Sequence, residues 1–113
     1  MSSQKTKKAA LQAVLPAAIN VLGKTFTVQV TSLKGLHGDC NPDTGVIRIH
    51  QNLTPETAQM TLFHEAVHAA FAQSGQNEML KEGQEEALVR MIENSFYHIV
   101  NVSKLSVDAE KTD

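Results

Sequence analysis

The sequence predicts an α+β fold, and three observations carry that prediction. Apolar residues recur at helical spacing from Lys7 to Leu22 and alternate at strand spacing from Thr25 to Thr31. The C-terminal half then offers two long helical stretches separated by Ser74-Gly75. The expected order is an N-terminal helix, a small and mostly antiparallel sheet, and two helices, all within one domain spanning the 113 residues.

In the first helix the apolar row is Leu11, Val14, Leu15, Ala18, Ile19 and Leu22, ended by Gly23. Pro16 interrupts it, because a proline inside a helix removes a hydrogen bond and clashes with the preceding turn. A kink or a fresh start is expected there. Residues 1–6 are expected to be flexible. Phe26, Val28 and Val30 mark the buried face of the first strand, with Thr27 and Gln29 facing outward. Gly35 to Gly45 reads as a loop with a turn at Asn41-Pro42-Asp43-Thr44-Gly45. Val46 to His50 reads as a second strand, with Ile47 and Ile49 inward and Arg48 outward, able to pair antiparallel with the first.

The next helix opens at Thr54-Pro55-Glu56, with Thr54 as N-cap and Pro55 at the first helical position. It should run to about Gln73, with Met60, Phe63, Val67, Ala70 and Phe71 as its buried stripe. The last helix covers most of Met79 to Val102, its regular part delayed by Gly83. Leu88, Val89, Ile92, Phe96 and Ile99 form its apolar face. Residues 104–113 read as a polar, flexible tail.

Composition narrows the function. A single cysteine, Cys40, excludes an internal disulfide framework and suits a reducing compartment. There is no signal-like N-terminus and no apolar run long enough to span a bilayer. A cytoplasmic protein without a membrane role is therefore expected. Net charge is −2, yet the first 38 residues carry five lysines and no acid while all 12 acids follow. Such a basic arm could touch an acidic partner. Read as a solvated terminus, it gives no reason to expect nucleic acid as a ligand.

The chemistry concentrates in Leu62-Phe63-His64-Glu65-Ala66-Val67-His68-Ala69-Ala70-Phe71. On a helix, residues four apart share a face, with Cβ atoms about 6 Å apart. His64 and His68 can thus reach one tetrahedral zinc ion through bonds of about 2.0 Å. Glu65 projects near the same opening and can take a proton from a zinc-bound water. The plain alternative is two surface histidines beside a glutamate.

A catalytic zinc usually takes three protein ligands and keeps one position for water. The pattern H-E-x-x-H-x-x-G-x-x-H is excluded, since Phe71 and Ser74 stand at its glycine and third histidine. The following helix offers Glu82, Glu85, Glu86 and Glu93. At 100° per residue, Glu85 sits within about 60° of every residue of the apolar face. A carboxylate centred there would be costly without a metal, so Glu85 is the expected third ligand. Glu86 lies about 100° round, where it could hydrogen-bond a ligating histidine. Glu82 and Glu93 read as solvated. His98 is a rival ligand, but it lies roughly 20 Å from Glu85 along a continuous helix, so the two cannot serve one ion. His37 and His50 could border the cleft and steady an oxyanion. Cys40 could cap the zinc as a thiolate.

The chain resembles the gluzincin metallopeptidases, above all their minimal single-domain forms in bacteria and phages. Three pieces carry the resemblance: Asp39 to Ile49, Thr61 to Ala69 around the H-E-x-x-H element, and Glu85 to Asn94. It implies a zincin-like fold with two zinc-binding histidines, a general-base glutamate and a glutamate ligand on the next helix. These map onto His64, His68, Glu65 and Glu85. The expected function is peptide-bond hydrolysis through a zinc-bound water activated by Glu65, on a peptide or protein substrate, with a protein partner possible for specificity. The alternative is a zinc-stabilised interaction or regulatory module without turnover.

Overall fold

The computed structural model describes residues 2–75, 78–81 and 83–95. Its elements run α1 (Ser2–Val14), β1 (Ala18–Val21), β2 (Lys24–Thr31), β3 (Gly38–Asn41), β4 (Val46–His50) and α2 (Pro55–Ser74). A third helix, α3, follows over residues 83–95. The strands form one sheet in the order β1-β2-β4-β3, antiparallel at both outer pairings and parallel between β2 and β4. This is the expected α+β arrangement. No helix among the described residues is long and apolar enough to cross a membrane. Glu82, Phe96, His98, Ile99 and the tail from residue 104 lie outside the described residues.

The N-terminal helix is shorter at its end, and starts earlier, than its apolar row suggests. It begins at Ser2 and stops at Val14, with Leu15 N donating back to Leu11 O at 2.9 Å. Pro16 can supply no such donor. Beyond it, Ile19 and Val21 turn inward at strand spacing while Ala18 and Asn20 stay exposed. Leu22 and Gly23 are therefore not a helix end. Both have positive φ, 49° and 92°, and they form the two-residue turn of the β1–β2 hairpin. Gly23 N donates to Asn20 Oδ1 at 2.9 Å.

The loop expected before β4 contains β3, and that changes the pairing. β3 runs antiparallel to β4 at the sheet edge, so the chain reverses twice between β2 and β4. The second reversal restores the direction, and β4 pairs parallel with β2. Gly38 makes the edge strand possible. A Cβ there would lie 2.7 Å from Arg48 O and 2.7 Å from Thr61 Cγ2, so β3 is pressed against both β4 and α2. The turn after it is the expected one: Asn41 Oδ1 accepts from Asp43 N and Thr44 N, and Gly45 has φ 71°.

The core lies between the inner sheet face, α1 and α2. Leu11, Phe26, Ile47, Ile49, Ala58 and Ala69 are all at most 1% exposed. Thr54 caps α2 by accepting from Thr57 N at 3.2 Å, and Gly75 ends it in the left-handed conformation. The buried residues of α2 are Ala58, Thr61 and Ala69, rather than the larger stripe expected from Met60 to Phe71. Small side chains let the helix approach the sheet closely. The larger apolar residues of α2, at intermediate exposure, flank that contact.

Candidate metal centre

His64 and His68 stand one turn apart on α2, with ring centroids 5.0 Å apart. α3 faces them. Its start is fixed by Lys81 N donating to Gln84 Oε1 at 3.0 Å, while Lys81 O accepts from Glu85 N at 3.3 Å. This is half of a capping box, the glutamine side chain reaching back to the backbone N–H ahead of the helix. Val89, fully buried, then points inward, with Glu85 and Glu93 four residues before and after it and Glu86 three before. At 100° per residue, all three carboxylates fall within about 60° of Val89.

The carboxylates meet the two rings on opposite sides. Glu93 Oε2 lies 2.6 Å from His64 Nδ1, and Glu85 Oε2 lies 2.6 Å from His68 Nδ1. Glu86 spans the other side, with Oε1 3.0 Å from His64 Nε2 and Oε2 3.1 Å from His68 Nε2. The ligand atoms of His64, His68 and Glu86 lie within 4.8 Å of one another, a group that could hold a metal ion.

Glu85, the expected third ligand, does not join that group. Its side chain is 22% exposed and that of Glu93 16%, against 42% for Glu86. The phase argument placed Glu85 deeper than Glu86 correctly, but the histidines present Nδ1 to the interior and Nε2 to the cleft. The deepest carboxylates therefore meet Nδ1, and the carboxylate nearer the rim meets Nε2. Glu93, which reads as solvated in the sequence, is the most buried of the three. Only the ring orientation of the histidines, invisible in sequence, could have separated these roles.

The donor set fits a divalent cation. Every one of the four contacts sets an imidazole nitrogen against a carboxylate oxygen. A neutral imidazole carries one N–H, so two rings supply two donors for four acceptor contacts. With those protons on the Nδ1 side, where contacts are shortest, both Nε2 lone pairs face the Glu86 carboxylate with no proton between them, and Arg90 Nε reaches Glu86 Oε1 only at 3.6 Å. Two imidazoles and a carboxylate suit zinc.

The group lies on the wall of an open cleft of about 630 Å³, also lined by Leu36, His37, Gly38, Asp39, Cys40, Glu65 and Arg90. That volume is within the usual range for ligand sites. Glu65 has a carboxyl raised above the ordinary range, first by burial. The neighbouring His68 and His64 oppose the rise, and Asp39 and Glu86 add to it. Cys40, on β3 rather than in a loop, is pushed up to about 11 by burial and then by Glu65 and Asp39. It stays a thiol near neutral pH and lies outside the metal-competent group. Asp39 also takes both Nε and Nη2 of Arg48 on the neighbouring strand, which raises the Arg48 guanidinium further.

β3 is the open edge facing this cleft, whereas β4, expected to be the available edge, is paired on both sides. His50 N donates to His37 O at 2.7 Å. Pairing alternates along an antiparallel ladder, so Asp39 and Asn41 face β4, and Gly38 and Cys40 direct their backbone groups to the free side. His37 borders the cleft. His50 instead holds the β2–β3 connection, its Nδ1 accepting from Leu33 N at 3.0 Å.

No curated protein and no solved structure gives a significant match to the chain. The family described as Peptidase_M78, the IrrE N-terminal-like domain, matches residues 18–111, which include the whole sheet, α2 and α3. The chain belongs to this metallopeptidase-like family.

Proposed function

We propose that the protein is a zinc-dependent peptidase in which His64, His68 and Glu86 hold the metal and Glu65 carries the proton. One observation supports this most directly. Two Nε2 atoms and one carboxylate converge on the wall of a cleft that also contains a half-buried glutamate and an open strand edge. Zinc bound there would polarise both a water molecule and the peptide carbonyl.

The chain's own residues supply the rest. An extended peptide pairs with the free backbone groups of Gly38 and Cys40, as a further strand on β3. That register fixes the scissile bond beside the imidazoles, and contact geometry of this kind supplies much of a rate enhancement. Glu65 takes the proton from the attacking water and passes it to the leaving nitrogen. Burial suits it to that exchange, because a carboxyl raised above its ordinary range binds a proton more readily.

The test combines metal analysis with turnover. Wild-type protein should bind one zinc per chain and lose it in His64→Ala. Glu65→Gln should keep zinc and fold while hydrolysis of any cleaved peptide falls about 10²- to 10⁴-fold. Equal turnover in Glu65→Gln would sink the mechanism. Zinc binding with no cleavage across a broad peptide library would instead favour a zinc-stabilised regulatory module.

A further inference from the structure

We infer that Glu85 and Glu93 are positioning residues, each dedicated to one histidine, and that together they aim both Nε2 atoms at a single point. The inference rests on the zinc reading above and adds a division of labour among the three carboxylates of α3.

The geometry is specific. Of the two rings, Glu93 meets that of His64, at Nδ1, and Glu85 that of His68, at Nδ1, both at 2.6 Å. Among the described residues, Glu86 alone is ion-paired with both rings, at 3.0 and 3.1 Å. Each inner carboxylate is an acceptor, so it holds the proton of its ring on Nδ1 and leaves the Nε2 lone pair facing the cleft. An imidazole turns freely about its bond to Cβ unless something holds it. On an exposed helix face the two rings would sample many orientations, of which few bring both Nε2 atoms together. The inner pair, 16% and 22% exposed, removes that freedom. The ionised carboxylate also makes its ring a stronger donor to a metal.

The arrangement predicts cross-specific defects. Glu93→Gln should disturb His64 and spare His68, and Glu85→Gln should do the reverse. Long-range ¹H–¹⁵N spectra of the imidazoles read this directly, in the metal-free protein and after zinc addition. In the wild type, both rings should carry their proton on Nδ1 once zinc is bound. Each variant should shift the nitrogen pair of its own histidine and leave the other unchanged. Competition titration with zinc alone should show about a 10- to 100-fold loss of affinity for each single variant, and a larger loss for Glu86→Ala. Glutamine keeps the side-chain size, and circular dichroism confirms folding before either measurement. Should glutamine still accept the Nδ1 proton and mask the effect, Glu93→Ala and Glu85→Ala remove the acceptor outright.

Equal disturbance of both rings by either substitution would overturn the inference, as would unchanged spectra and affinity in the alanine variants. So would a loss in Glu85→Ala that matches or exceeds that in Glu86→Ala, which would make Glu85 the ligand. A wild-type protein that binds no zinc would refute the metal reading itself, while the metal-free spectra would still show whether each carboxylate holds its own ring.

Discussion

α2 is held on two sides by different means. Toward the sheet it buries Ala58 and Ala69 completely, against a core containing Leu11, Phe26, Ile47 and Ile49. Toward α3, the described residues supply one wholly buried apolar side chain, Val89, and three glutamates set against two histidines. The first seam rests on removing apolar surface from water, a force indifferent to metal and weakly dependent on pH. The second depends on charge and on what occupies the space between Nε2 and Glu86. The site thus sits where docking can respond to an ion, and the fold beneath it does not have to.

The sharpest way to separate the seams is to damage the first. Phe26→Ala should cost about 3–5 kcal/mol, as large aromatic truncations in cores do. The loss, read by urea unfolding, should be the same with zinc bound and with zinc chelated. A loss that changed with metal would tie the two seams together and break the contrast.

Removing metal tests the second seam. Zinc at about 100 times its dissociation constant stabilises by about 2.7 kcal/mol, and chelation should remove that amount. In hydrogen exchange, amides of α3 should lose protection first and those of β2 and β4 last. Uniform loss across the molecule would show a single cooperative unit instead.

Cys40 lies where the seams meet, beside Glu65 in the cleft. Its thiol is pushed up to about 11, so the folded state holds that proton more tightly than the unfolded chain. Stability present at neutral pH should therefore fall as pH rises from the ordinary thiol range, about 8.5, through about 11. Cys40→Ser should flatten this alkaline limb. An equal limb in the serine variant would assign it to another group.

The smallest expected effect lies outside both seams. Leu22 is 68% exposed and holds φ 49° in the hairpin turn. Left-handed backbone costs a residue of this kind about 1–2 kcal/mol, and asparagine tolerates it better. Leu22→Asn should stabilise by about 1 kcal/mol and raise the melting temperature by the same amount with or without zinc. No gain would mean that the leucine side chain has packing that offsets its strain.

The parts legible in the sequence are those with strong local signals. Thr54-Pro55 and Gly75 bound α2 because capping chemistry is local, and β2 and β4 follow from clean alternation. The i, i+4 histidines needed only a helix to come together. β3 was hidden because Gly38, Asp39 and Asn41 are poor strand formers, and the close packing that requires glycine at position 38 involves Thr61, a residue far along the chain. The Leu15-to-Leu22 segment satisfied a helical period and a strand period at once, and Pro16 decided between them. The roles of Glu85, Glu86 and Glu93 depend on two rotations, that of α3 and that of each imidazole, and a sequence specifies neither.

The edge strands bear on how the protein behaves in a crowded solution. Among the described residues, the sheet ends at β1 and β3, each only four residues long. Pro16 lies just ahead of the first and Pro42 directly follows the second, and neither can donate to a neighbouring ladder. Asp39 adds a charge to the middle of β3. Short, charged, proline-flanked edges discourage the end-to-end stacking of sheets that leads to aggregates. An open edge can therefore face the cleft, available to one extended chain, without inviting a second copy of the protein to extend the sheet indefinitely.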